Sequence, residues 1–400
     1  MKLYDELKWR GLIQDVSSPK VEEMINDGCV TFYWGTDPTA DSLHIGHYTN
    51  LVLARNFKKH GHNPILLVGG ATALIGDPRG KGERPLMSRE EISHNYEKIA
   101  AQVSGITGCE IVNNYDWTKE IDVISFLRDY GKHFTINYML DKDKVRKQLE
   151  FGLSYTEFSY MLLQALDFKY LFENRGVTLQ IAGSDQWGNI TSGIELIRRT
   201  LGKEAYGMTM PLVLDENGNK IGKSEGNAVW LDKEKFSSYK MYQYLINTAD
   251  SVVIDYLKKM TLLSVEEITS LEKKLKEKPE LREAQKALAF EVVKDIHGEE
   301  EAIQARKTSE EVFSKGYSEE GMPSCDIKLD DVKNIIDLVV ISGIASSKSE
   351  ARRLIVGNGI SINSVKVSDA EDLIEESMFK EGHLIISKGK KTHIKINLVK

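Results

Sequence analysis

Between residues 29 and 215 the chain alternates short apolar runs with longer stretches of helical periodicity, and this alternation narrows its fold more than any other property. Strands are expected at Cys29–Trp34, Pro64–Gly69, Glu110–Asn113, Thr178–Ala182 and Met208–Leu214, with helices between them. Strands joined through helices pair in parallel, so the expected class is α/β, a parallel sheet wrapped by helices. Ligands on such sheets sit beyond the carboxyl ends of the strands, where the strand order switches. The loops after Trp34, Gly69 and Ala182 are therefore where chemistry is expected.

From Lys235 to about Gly316 the strand signal gives way to Lys- and Glu-rich helical segments, punctuated by Pro279 and Gly298. Gly316–Ser324 is rich in turn formers and charge and reads as a linker. After it, Asp331–Lys400 holds two helical stretches and short strands with a basic end, a small α+β unit. The net charge of −7 means that a nucleic-acid partner must be met by a local basic patch. Cys29, Cys109 and Cys325 are widely spaced and form no CxxC pair, which fits reduced thiols in a cytoplasm and no structural metal. The longest apolar run, Ile65–Ile75, is too short to cross a bilayer. Met1–Gln14 mixes acids with bases, as an amphipathic surface helix does and a signal peptide does not.

Trp34–His47 reads WGTDPTADSLHIGH: Gly35, Asp37 and Pro38 turn the chain out of a strand, and Asp41 or Ser42 is expected to cap a helix running to about His60. His44 and His47, three apart, share a face in its first turns. Gly46 leaves room for a flat base, and Thr39 and His44 can donate to phosphate oxygens at the helix start. The same spacing fits a histidine-rich surface helix or a metal pair, although no carboxylate stands at a matching position. Lys220-Ile221-Gly222-Lys223-Ser224 is not a P-loop, because Asn217 stands where that pattern needs glycine. It reads as a polar loop whose two lysines can neutralise departing pyrophosphate, or as a solvated hairpin.

Three further segments carry polar chemistry. Gly69–Arg84 leaves a strand through two glycines and presents Asp77, suited to an ammonium, then Arg79, Lys81 and Arg84, suited to phosphates or to a surface turn. Tyr160, Gln164 and Asp167 lie at i, i+4 and i+7 on one helical stripe flanked by Met161, Leu162, Leu166 and Phe168. In Gln180–Asn189 a strand ends at Gly183, Ser184 or Asp185 can cap the next helix, and Asp185 is placed to accept from a ribose diol.

Together these segments resemble a tyrosyl-tRNA synthetase of the bacterial type over essentially the whole chain. The motifs are Tyr33-Trp34-Gly35 with DPTADSLHIGH, the GGAT…GDP stretch, TEFSYMLLQALDF, GSDQWGN and KIGKS, and the tail SKSEARRLIVGNGISIN is similar to an S4-like RNA-binding domain. The resemblance implies a class I aminoacyl-tRNA synthetase: a Rossmann-like catalytic domain over 1–230 with a dimer-forming insertion at about 115–150, an α-helical anticodon-binding domain over 231–318, a linker at 319–331 and the S4-like domain over 332–400. It implies L-tyrosine, ATP with Mg2+ and tRNA(Tyr) as substrates, a cytoplasmic homodimer, no structural metal and no membrane.

Carried over position by position, Tyr33 and Asp167 would hold the substrate phenol. Tyr160, Asp77 and Gln164 would hold its α-ammonium, with Gln186 near its carboxylate. Thr39, His44, Gly46 and His47 would serve ATP, Asp185 the ribose, Lys220 and Lys223 the phosphates, and Lys81 with Arg84 would supply mobile-loop cations. Lys348, Arg352, Arg353, Lys388, Lys390 and Lys391 would meet RNA. Trp34 stands where the family has a small residue at a ribose contact, and Asn50 where it has a threonine. A tryptophanyl-tRNA synthetase, a metabolic adenylate-forming ligase and a non-catalytic RNA-binding protein are the competing readings; the Tyr33/Asp167 pair, the basic tail and the intact histidines and lysines argue against them in turn.

Overall fold

A computed structural model describes residues 1–78, 86–224, 227–315, 322–367, 369–380, 382–389 and 392–399, with backbone alone at 223–224, 227 and 311–315. It divides into two compact units, Met1–Phe236 with Thr248–Leu288, and Ser237–Asn247 with Ala289–Lys400.

The first unit is built on a six-stranded sheet in the order β1-β6-β5-β2-β3-β4. Its parallel strands are β2 (Thr31–Thr36), β3 (Asn63–Val68), β4 (Glu110–Asn113), β5 (Leu179–Gly183) and β6 (Tyr206–Met210). Pro64 to Val68 are all buried, so β3 is a continuous apolar run where a half-exposed strand would alternate. The chain runs outward one way through β2, β3 and β4, then returns to lay β5 and β6 on the other side of β2. The switch therefore falls between β2 and β5. These two strands pair at Phe32–Leu179 and Tyr33–Gln180, while β2 continues to Thr36 and β5 to Gly183. A crevice between parallel strands opens there.

Two details of this sheet differ from expectation. The last strand ends at Met210 rather than Leu214, because Pro211 has no N–H to continue the ladder. An edge strand β1 (Asp15–Val16) pairs antiparallel with β6 through Thr209 and Met208. Nearby, Arg10 is almost fully buried; its guanidinium donates to the carbonyls of Lys258, Thr261 and Leu263 at 2.9, 3.2 and 2.6 Å and its Nε to Glu6 at 2.7 Å. It ties the Leu3–Trp9 helix to the end of the Val253–Met260 helix, which itself packs on the Ile45–Lys59 helix.

In the second unit the Ser238–Ile246 helix packs on the Glu299–Lys315 helix. The stretch 231–318, expected as one helical domain, contributes to both units, with Val253–Met260 in the first and Ser238–Ile246 in the second. After β7 (Lys223–Ser224) and β8 (Asn227–Ala228) of the first unit come five strands: β9 (Ser324–Ile327), β10 (Ile360–Ile362), β11 (Val365–Lys366), β12 (His383–Lys388) and β13 (Thr392–Leu398). They form a sheet in the order β11-β10-β12-β13-β9, over which Leu338, Val339, Ile355, Ile360, Leu384 and Ile396 close a core. The expected linker 319–331 holds β9, which pairs parallel with β13. Its one fully buried residue, Ile327, is too little pattern for a sequence to show.

Candidate active site

The crevice beyond β2 and β5 holds a buried polar cluster. Asp167, on the Tyr155–Arg175 helix, is 2% exposed; its carboxylate accepts from Asn114 Nδ2 and Trp117 Nε1, each at 2.9 Å. Burial pushes its pKa up to about 7, against the pull of those two donors and with help from the negative Asp37. Tyr33, 1% exposed at the carboxyl half of β2, has a hydroxyl without a hydrogen-bond partner among the described residues. Burial and the nearby charge of Asp167 hold that phenol well above its ordinary range. Gln180, its register partner on β5, also has an unpartnered Oε1. Orphaned buried polar atoms are rare, and that of Tyr33 stands close enough to feel the charge of the Asp167 carboxyl.

Asn114 fixes this corner by accepting from Ala71 N at 2.7 Å and donating to Thr72 Oγ1 at 3.1 Å. Thr72 donates to Asp37 at 2.7 Å, and Tyr160 donates to the other Asp37 oxygen at 3.1 Å. Gly69 is required there: a Cβ would meet Asp37 Oδ1 and Thr72 Oγ1 at 2.2 Å. Thr72 closes the quoted GGAT stretch, whereas Asn114 and Trp117 belong to none of the quoted motifs.

A second carboxylate lies along the same crevice. Asp77 accepts from Gln186 Nε2 at 2.9 Å and Asn189 Nδ2 at 3.5 Å, and it pairs with Lys144. Asn189 also donates to Gln164 Oε1 at 2.9 Å and to Gln186 Oε1 at 2.8 Å. The structure thus brings Tyr33, Asp77, Tyr160, Gln164, Asp167 and Gln186 together. Asp185, more exposed, lies 3.7 Å from Lys144 Nζ and 4.0 Å from Lys220 Nζ.

The two-histidine motif differs from expectation in one respect. The helix begins at Ile45, and its cap is His44 itself, not Asp41 or Ser42. His44 Nδ1 accepts from Gly46 N at 3.1 Å, and His47 Nδ1 accepts from His44 N at 3.3 Å, a reciprocal capping box made of imidazoles. Ser42 is occupied otherwise, donating to Leu43 O and accepting from Gln102 Nε2. Burial lowers His44, and burial with His44 beside it lowers His47 to about 3. Both rings are therefore neutral at pH 7, and each keeps its Nε2–H as a donor because Nδ1 is accepting.

The lysine loop folds onto this helix start. Ile45 N donates to Val229 O and Leu231 N to Leu43 O, both at 2.8 Å, and His44 bridges Trp230. A Cβ on Gly46 would meet the His44 ring at 2.8 Å and Ile221 O at 3.0 Å; one on Gly222, at φ +120°, would meet His44 Nδ1 at 2.9 Å. The glycines let strand-like backbone close over the ring. Thr39 is exposed, its N–H bonded to Asp37 O at 2.8 Å. Trp34 is buried on the opposite face of β2 from Tyr33, beside Phe32. Lys81, Arg84 and the side chain of Lys223 lie outside the described residues, as do Lys390 and Lys391.

In the second unit, Lys348, Arg352 and Arg353 on the Lys348–Val356 helix line an open groove of about 730 Å³. Lys348 pairs with Asp337 at 2.7 Å, Arg352 with Glu371, and Lys388 lies 4.0 Å from Glu350.

A family model described as tRNA synthetases class I (W and Y) matches residues 26–314, and one for the SYY-like C-terminal domain of tyrosine–tRNA ligase matches 314–396. The chain is a class I aminoacyl-tRNA synthetase. It is 46% identical to the tyrosine–tRNA ligase of Staphylococcus saprophyticus, with 99% of each chain covered, and 46% identical to that of Staphylococcus haemolyticus over the same shares. A solved C-terminally truncated mitochondrial tyrosyl-tRNA synthetase of Aspergillus nidulans superposes with a TM-score of 0.69 at 31% identity, covering 78% of this chain and 94% of that one. The chain belongs to the tyrosine–tRNA ligase family, whose members use ATP to join tyrosine to tRNA.

Proposed function

We propose that the crevice seats tyrosine with its phenol between Tyr33 and Asp167, its α-ammonium on Asp77, Tyr160 and Gln164, and its carboxylate toward Gln186. The observation that carries this reading is the unpartnered Tyr33 hydroxyl beside the Asp167 carboxyl, itself held by Asn114 and Trp117. A phenol O–H entering there donates to Asp167 and accepts from Tyr33, and all three groups are paired. ATP, as its Mg2+ complex, lies at the helix start with Thr39 and the Nε2–H groups of His44 and His47 at its phosphates and Asp185 at its ribose, while the space beside Gly46, expected to admit a flat base, is taken by the His44 ring and Ile221 O. The tyrosine carboxylate attacks the α-phosphorus, giving tyrosyl-adenylate and pyrophosphate; the tRNA terminal adenosine then takes the tyrosyl group. No side chain acts as a nucleophile. Orientation of the two substrates supplies on the order of 7–11 kcal/mol. Lys81, Arg84, Lys220 and Lys223 neutralise charge gathering on pyrophosphate.

The groove at Lys348, Arg352 and Arg353 is proposed to hold tRNA backbone, Lys388, Lys390 and Lys391 to meet RNA as well, and the helices of 231–318 to meet the anticodon. Dimerisation through the segment at about 115–150 is supported by exposed apolar side chains at Val123 (67%), Ile124 (64%) and Ile136 (59%). Free thiols at Cys29, Cys109 and Cys325 support a cytoplasmic setting. Among the described residues no helix is long and apolar enough to cross a membrane. The test is ATP–pyrophosphate exchange with tyrosine, with tryptophan and with neither; exchange driven by tryptophan, or independent of amino acid, overturns the assignment.

A further inference from the structure

The seat proposed for the substrate ammonium already holds an ammonium belonging to the chain. Lys144 lies on the Asp143–Leu149 helix, whose Val145 is buried in an apolar cluster with Met161 and Leu162 of the Tyr155–Arg175 helix. That packing aims Lys144 across the crevice, where Nζ pairs with the same Asp77 oxygen that accepts from Gln186. The two side chains are 26% and 14% exposed, so the pair is largely shielded from water. A carboxylate in such a place is poorly solvated and needs a cation. Asp185 Oδ2 stands 3.7 Å from the same Nζ, a second carboxylate within reach of the lysine stem.

We propose that Lys144 competes with the substrate's α-ammonium for Asp77 and so sets how tightly tyrosine is held. In the empty enzyme Lys144 neutralises Asp77. Tyrosine displaces it, and the freed ammonium passes to Asp185. A phenol with an ammonium compensates Asp77 when Lys144 leaves; a phenol without one leaves Lys144 where it is. Lys144 thereby sets tyrosine affinity without touching the phenol end of the pocket. The inference rests on the reading of Asp77 as the ammonium seat.

The experiment is calorimetric titration of the full-length enzyme, Lys144→Met, Lys144→Gln and Asp77→Asn with tyrosine and with p-hydroxyphenylpropionate, which lacks the amine. Removing the competing cation tightens tyrosine about five- to tenfold in both Lys144 variants, while p-hydroxyphenylpropionate changes by less than about twofold. Asp77→Asn weakens tyrosine at least about tenfold. Unchanged or weaker tyrosine binding in both Lys144 variants, with Asp77→Asn still damaging, overturns the competition and leaves the pocket reading standing. Unchanged tyrosine binding in Asp77→Asn overturns the ammonium seat itself. Equal tightening of both ligands overturns the proposal too, since a merely loosened pocket acts that way.

Discussion

His47 Nδ1 accepts the backbone N–H of His44 at 3.3 Å, and the two rings lie 4.0 Å apart between centroids. One residue thereby fixes the tautomer of the other while both close the helix start. Cap and chemistry are separable. His44→Asn keeps a side-chain acceptor for Gly46 N, since asparagine is a strong cap, but loses the Nε2–H donor. Its melting temperature should stay close to that of the parent, while tyrosine-dependent exchange falls roughly 10²- to 10³-fold. Equal loss of melting temperature and activity would reduce His44 to a cap.

Asp167 makes tyrosine binding pH-dependent. Its carboxyl, pushed up to about 7, is largely protonated at pH 6 and ionised at pH 8. The ionised form accepts the substrate phenol more strongly. Tyrosine affinity, read by calorimetry, should therefore weaken about tenfold between pH 8 and pH 6, and Asp167→Asn should bind weakly at both. The sign for stability is the reverse: a raised carboxyl favours the folded chain below about pH 4 and that contribution is lost as pH rises through about 7. Bound tyrosine should raise the melting temperature more at pH 8 than at pH 6.

The buried guanidinium of Arg10 serves three carbonyls and Glu6. Arg10→Met leaves those acceptors without donors in a place that water reaches poorly. The loss should be about 2–3 kcal/mol, measured as a lower urea midpoint, with tyrosine affinity unchanged in the folded fraction.

Deleting residues 325–400 removes the groove at Lys348, Arg352 and Arg353 but none of the crevice. Exchange should continue and tRNA charging should be abolished. Charging by the intact enzyme should also weaken with added salt, as counterion release requires, though Asp337 and Glu371 already hold two of the cations. Charging that survives the deletion would show the groove dispensable.

Much of the crevice was legible because its residues sit at strand ends or on one helical stripe. Glu110–Asn113 is found as read, and Tyr160, Gln164 and Asp167 line one face as their spacing requires. Asn114 and Trp117 were not legible: they lie 53 and 50 residues before Asp167, and nothing local marks them as its donors. His44 was passed over as the cap because serine and aspartate stood two and three residues before it, and their preference for that role is strong. Lys144 escaped because the segment around it reads as an insertion, and only the packing of Val145 turns the lysine inward. The two-residue β1 carries no period at all.

That short strand has a consequence for synthesis. Asp15 and Val16 have nothing to lie against until Thr209 and Met208 have been made. On the ribosome these two residues must therefore wait for their ladder partners while nearly two hundred others emerge, and that rim of the sheet is sealed by a segment made long before the strand it borders.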